Sequence, residues 1–157
     1  MKRSIIALAA MAIVGMLAAY NMEDIVKIRN NEKDLRRAVL DEARLDGMNI
    51  VGANLEDADL QKASLVGTRL EGSRLIRANL GYANLQRANL TGAVLMNARL
   101  HDADLRDAIL RSADLRGAIL GGAKLAGADF EDALVDARHE TWLSNQKVKN
   151  FGKIRWK

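Results

Sequence analysis

The chain has 157 residues, 49% of them hydrophobic but only 4% aromatic, with no proline, no cysteine and a formal net charge of +4. The lack of cysteine excludes a disulfide framework, a Cys-based zinc site, a thiol nucleophile and a lipoprotein anchor, and two histidines, His101 and His139, are too few for a His-rich metal site. The charge is uneven: residues 1–32 carry +1, residues 33–138 carry −1 and residues 139–157 carry +4, so a nearly neutral body ends in a basic tail.

Residues 1–20 read as a signal peptide or membrane anchor. Lys2 and Arg3 precede an uncharged apolar run from Ile5 to Tyr20, the layout of a positive n-region and an apolar h-region. The run is slightly shorter than the roughly 17–25 residues of a spanning helix. Leu17-Ala18-Ala19 fits a small-x-small cleavage site poorly, because Leu stands at the third position back. Cleaved or retained, the segment sends the body outward, since the positive end favours the cytoplasmic side. The expectation is an exported protein, anchored or soluble after cleavage, on the periplasmic side of the inner membrane in a Gram-negative cell. Residues 21–32 read as a short capping or linker helix. Asn21 is its N-cap, Glu23 and Asp24 lie in its first turn, and Ile25 and Ile28 share one face.

From residue 33 to 137 a five-residue beat runs through 21 pentads without insertion. Its central residue, from Leu35 to Val135, is large and apolar. Two places earlier sits a small residue, except at Lys33, Met48, Thr68 and Ser73. A period of five fits neither the helical period of about 3.6 nor the strand period of about 2, so the chain must turn at regular intervals. Gly47, Gly52, Gly67 and five later glycines all fall two places after a central residue, where a turn needs them. A sustained internal period sets the architecture before any single residue is read.

The unit Ala-(Asp/Asn)-Leu-x-x, as in Ala53-Asn54-Leu55, Ala83-Asn84-Leu85 and Ala113-Asp114-Leu115, resembles the pentapeptide repeat family. The resemblance implies an all-β solenoid, a right-handed quadrilateral β-helix of about five coils with four pentads each. It would carry an N-terminal apolar helix and short terminal caps. At about 4.7–4.9 Å per stacked strand the column would be roughly 25 Å tall. Residues 20 apart would then stack, so Leu35, Leu55, Leu75, Leu95 and Leu115 would form one interior ladder. Arg36 would lie over Glu56, Asp57 beneath Arg77, Arg87 over Asp107, Asp104 over Lys124 and Arg111 over Glu131 as outward columns.

Function must lie in what decorates the beat. One wall would bring Ile76 beneath Met96 with Val94 beside them and Arg74, Arg77 and Arg116 around them, an apolar patch rimmed by arginine that suits a protein partner, including one in a membrane complex. Residues 138–157 break the beat. There Trp142, Phe151 and Trp156 read as aromatics sealing the last coil, while Lys147, Lys149, Lys153 and Arg155 stay wet. The alternative for this tail is attraction to an anionic surface. No convergent nucleophile, base and pocket appears, no phosphate loop, and no metal-ligand spacing, so the expectation is a non-enzymatic scaffold without cofactor or small-molecule substrate. Some members of the family mimic DNA and shield topoisomerases. Duplex DNA presents about one negative charge per 1.7 Å of axis, and a body near −1 with interleaved acids and bases argues against that role. Direct DNA binding would rest on the basic tail alone, without a stacking groove beside it.

Overall fold

A computed structural model describes residues 21–157. The expectations for residues 1–20, including the apolar helix, lie outside the described residues. Among those described, no helix is long and apolar enough to cross a membrane.

Each pentad makes one tight turn and one point of strand pairing. Leu35 opens a turn that closes when the Ala38 N–H donates to the Leu35 carbonyl at 3.1 Å. The residue two after each centre has positive φ, from Arg37 at 58° to Asp132 at 57°, which is the type II geometry. Eight of these positions are glycine, but Lys62, Tyr82 and Arg87 adopt the same conformation. There the N–H of the strained residue is bonded to the next coil, as Arg37 N–H is to Glu56 O at 2.9 Å, so the coil stack holds a conformation that L-residues otherwise disfavour.

The residue before each centre pairs in parallel with the one 20 places later, in unbroken series such as Ser64 to Asn84 to Asp104 to Lys124. Four pentads therefore make a coil with four walls. The first wall is centred on Leu35, Leu55, Leu75, Leu95 and Leu115, the second on Leu40 to Leu120, the third on Leu45 to Leu125 and the fourth on Ile50 to Phe130. Asn or Asp recurs at the pairing position because its Oδ1 accepts the N–H two residues on, at 3.1 Å for Asn54 to Glu56 and 3.2 Å for Asn84 to Gln86. This side-chain hook holds each turn in place.

Inside, the central Leu residues and the Ala residues are almost wholly buried. The exceptions to the small-residue rule have physical reasons. Thr68 and Ser73 are fully buried, and their hydroxyls donate to Leu45 O at 2.7 Å and Leu70 O at 2.8 Å, so no polar group is stranded. Lys33 and Met48 lie in the first coil, where no coil presses from below. Lys33 is exposed, and Met48 packs against the core only partly buried.

Helix α1, Met22–Arg29, covers part of that first coil. Asn21 Oδ1 accepts the Glu23 N–H at 3.0 Å, and Ile25 and Ile28 are buried in the core. Asn21 N–H donates to Val39 O at 2.8 Å, while buried Asp24 accepts the Val39 N–H at 3.0 Å and Lys27 Nζ at 2.8 Å. The Asp24 carboxylate thus serves the N–H that a lower coil would otherwise serve.

At the other end β1, Leu134–Val135, pairs in parallel with β2, Arg155–Trp156. Between them helix α2, Glu140–Ser144, sets Leu143 in the core. The chain then rejoins the fourth wall, where Lys149 pairs with Asp129. The sixth coil is therefore half made: strands continue above the fourth and first walls, and α2 replaces them elsewhere.

Candidate interaction surfaces

The first wall brings the six patch residues together. Val94 pairs with Arg74 below it and Asp114 above it. Ile76, Val94 and Met96 are half-buried rather than exposed. Their arginine neighbours are each tied to acids. Arg77 donates to Asp57 at 2.8 Å and to Glu56 at 2.7 Å, Arg74 reaches Glu56 at 3.8 Å, and Arg116 pairs with Asp114 at 2.6 Å. Arg116 also lies 3.9 Å from the Met96 sulfur. The hydrogen bond from Arg77 lowers the Asp57 pKa, and that from Arg116 lowers the Asp114 pKa. The rim is thus charge-neutral, and the apolar strip lies between closed ion pairs.

Below the strip the same wall holds a polar cleft of about 530 Å³, lined by Lys27, Asp34, Arg36, Arg37, Glu56, Asp57 and Arg77. Here the outward columns depart from simple stacking. Arg36 does not rise onto Glu56 but folds back on Asp34 at 2.7 Å. Arg106 does the same with Asp104, and Arg116 with Asp114, both at 2.6 Å. Each lies in an Asp-Leu-Arg run, where acid and base flank one inward Leu on the same wall. That separation needs less reach than a step to the next coil. Arg77 on Asp57 and Arg111 near Glu131 at 3.5 Å do follow the stacked columns, and no ion pair joins Arg87 to Asp107 or Asp104 to Lys124.

The second wall carries a surface that sequence reasoning passed over. Tyr82 is 53% exposed and Ile119 51% exposed. Between them the His101 ring lies over Gly81 and meets Tyr82 edge-on, with ring centroids 5.1 Å apart. Gly81, below His101 in the same column, was the available signal: it bares the space that the ring fills.

In the C-terminal segment the apolar and charged groups divide. Trp142, Phe151 and Trp156 are partly buried against the core, and Phe151 meets Trp156 edge-on at 5.7 Å. Lys147, Lys149, Lys153 and Arg155 face solvent, and Lys153 pairs with Glu131 at 2.5 Å. Asp129 is 7% exposed and clasps this segment to the column, accepting Asn150 Nδ2 at 2.6 Å, Arg111 Nε at 2.7 Å and the Glu131 N–H at 3.1 Å. Burial pushes its carboxyl up, but the hydrogen bonds from Asn150 and Arg111 outweigh it and the net pKa is lowered. Among the described residues no group of His, Asp and Glu is placed to hold a metal ion.

A search of the curated proteins returns no match. Among solved structures, a pentapeptide repeat protein of the Arabidopsis thaliana thylakoid lumen is 25% identical, with a TM-score of 0.57 over 72% of this chain and 75% of that one. A pentapeptide repeat protein from Nostoc is 32% identical over 88% of this chain and 96% of its own, at a TM-score of 0.29. The plasmid-mediated fluoroquinolone resistance protein QnrB1 is 14% identical, with a TM-score of 0.40 over 79% of this chain and 67% of its own. The likeness to the Arabidopsis protein implies a right-handed quadrilateral β-helix. The family described as Pentapeptide repeats matches in eight copies, over residues 31–57, 38–75, 53–92, 73–111 and 93–132. With the pairing every 20 residues, this establishes that the chain belongs to the pentapeptide repeat family.

Proposed function

We propose that the chain is a non-enzymatic interaction scaffold, exported and either held at a membrane by residues 1–20 or released from it, whose solenoid walls dock a protein partner. The observation that carries this reading is the first wall. The arginines around the strip are paired with neighbouring acids, so the group left there to recognise a partner is the apolar strip of Ile76, Val94 and Met96. The likeness to a thylakoid-lumen protein supports an exported setting. Pull-down from a membrane fraction with the native chain and with an Ile76→Asp/Met96→Asp double variant tests the wall. Loss of one partner in the variant is expected, and identical partner profiles would reject the strip. Fractionation with mass analysis of the N-terminus tests the setting. A mature start at Tyr20 indicates a soluble exported form and intact Met1 in membranes a tethered one, whereas an intact chain confined to the cytosol would reject export.

A second reading, binding to an anionic surface, is favoured by the outward set of Lys147, Lys149 and Arg155 at the column's end. Co-sedimentation with phosphatidylglycerol vesicles should then fall as salt rises, and no binding at low salt would dismiss it.

A further inference from the structure

The third wall ends on an unpaired strand edge. In the fourth coil Leu105 N–H donates to Lys124 O at 2.8 Å, and Lys124 N–H donates to Ala103 O at 2.9 Å. On the second wall, Leu100 N–H and Asp102 N–H donate upward to Ile119 O and Gly121 O, both at 2.9 Å. One coil higher this stops. Among the described residues nothing accepts from the N–H of Leu120, Gly122 or Leu125, and nothing donates to the carbonyl of Ala123. The strand that would serve them is replaced by α2, which turns inward with Leu143, and the ladder resumes only at Gly127, whose N–H reaches Lys147 O at 3.1 Å. Between the edge and α2 lies a cleft of about 460 Å³, floored by Ala123, Leu125 and Ala126 and flanked by Trp142 and Gln146.

We propose that this cleft receives an extended segment of a partner protein with an acidic residue followed by an apolar one, which completes the third wall of the sixth coil. Strand addition to an open edge draws its affinity from main-chain hydrogen bonds and its specificity from alternate side chains. The register fixes both here. One partner residue accepts from Leu125 N–H and donates to Ala123 C=O, as Lys124 does one coil below. Its side chain then projects outward in the column Asn84, Asp104, Lys124, directly above exposed Lys124. Asp104 beneath is already held by three hydrogen bonds from the Arg106 guanidinium, at 2.9, 3.2 and 2.6 Å. Lys124 is thereby left without an ion pair among the described residues, and an acidic side chain directly above it supplies one. The next partner residue lies in the cleft against half-buried Trp142, since Leu125 and Leu143 are already buried in the core, and must be apolar. This surface is separate from the first-wall strip and does not depend on it.

Selection of phage-displayed random linear dodecapeptides on the purified full-length chain tests the proposal. Enriched peptides should share an acidic-apolar pair, slow hydrogen exchange at the amide of Leu125, and bind about tenfold more weakly to a Lys124→Glu variant. Replacing the peptide's acid with lysine should restore binding to that variant. Binding should persist in the Ile76→Asp/Met96→Asp protein, which separates this site from the first wall. No enrichment, enriched peptides without an acid, unchanged exchange at Leu125, or equal affinity for Lys124→Glu would each overturn it.

Discussion

Gly67 and Gly81 show how differently two glycines constrain one chain. Gly67 sits at a turn with φ of 63° and open space where a Cβ would stand. Gly67→Ala should therefore cost only conformational strain, about 1–2 kcal/mol, read as a lower melting temperature with unchanged spectra. Gly81 has no such torsion, but a Cβ there would run into the His101 ring. Gly81→Ala should leave stability nearly unchanged and swing His101 away from Tyr82, seen as loss of the ring-current shift on the histidine protons. A larger cost belongs to the interior: Leu85→Ala, with its side chain fully buried, should lose about 2–5 kcal/mol in denaturant titration. At this scale the inward residues were legible because alternation with period five leaves one side of each Leu and Ala no choice. The left-handed backbone at Lys62, Tyr82 and Arg87 was not legible, since local preference opposes it and only the bonds between coils enforce it.

The two ends depend on buried acids: Asp24 stands in for a missing strand, and Asp129 clasps the returning chain. Replacing Asp24 with alanine removes the acceptor for the Val39 N–H. The expected loss is about 1–3 kcal/mol, with faster hydrogen exchange at Val39 and along α1 and little change in the central coils. At the C-terminal end Asp129 joins Arg111, Asn150 and the turn at Glu131. Side-chain hydrogen bonds from arginines likewise lower the carboxyl pKa of Asp34, to about 2 against an ordinary 3.8, and of Asp57, Asp104 and Asp114. A carboxyl whose folded pKa is depressed contributes stability that is complete above its unfolded value and disappears as pH falls through the folded value. Melting temperature should therefore hold from neutral pH to near 4 and drop between about 4 and 2. Asp129→Asn and Asp114→Asn should each flatten that drop, and an unchanged acid slope would show that these pairs do not contribute. Asn21, Glu23 and Ile25 mark a helix start by their identities. In contrast, Asp24 as a substitute hydrogen-bond acceptor, and the preference of Arg36 for Asp34 over Glu56, depend on side-chain reach that spacing alone does not reveal.

Across the whole molecule the register of 20 residues sets what changes the fold can absorb. Removing residues 76–95 takes out one complete coil and leaves each remaining pairing position opposite another. That variant should keep a single cooperative melt at lower temperature. Removing only Gln86 breaks the beat and sets later Leu and Ala residues against the wrong neighbours, so circular dichroism should show a broad, weak transition. The stack was legible because repetition multiplies one small signal; the half-made sixth coil was not, since it depends on where α2 leaves the walls. The same register has a mechanical meaning. Hydrogen bonds between coils point along the column, as from Leu75 N–H to Val94 O at 2.7 Å and from Leu95 N–H to Asp114 O at 2.7 Å. A pull on the two ends loads these bonds in tension one coil at a time, and each coil that opens frees roughly 66–72 Å of chain. Single-molecule extension should show low, evenly spaced steps, so the column resists sideways pressure yet pays out slack along its axis.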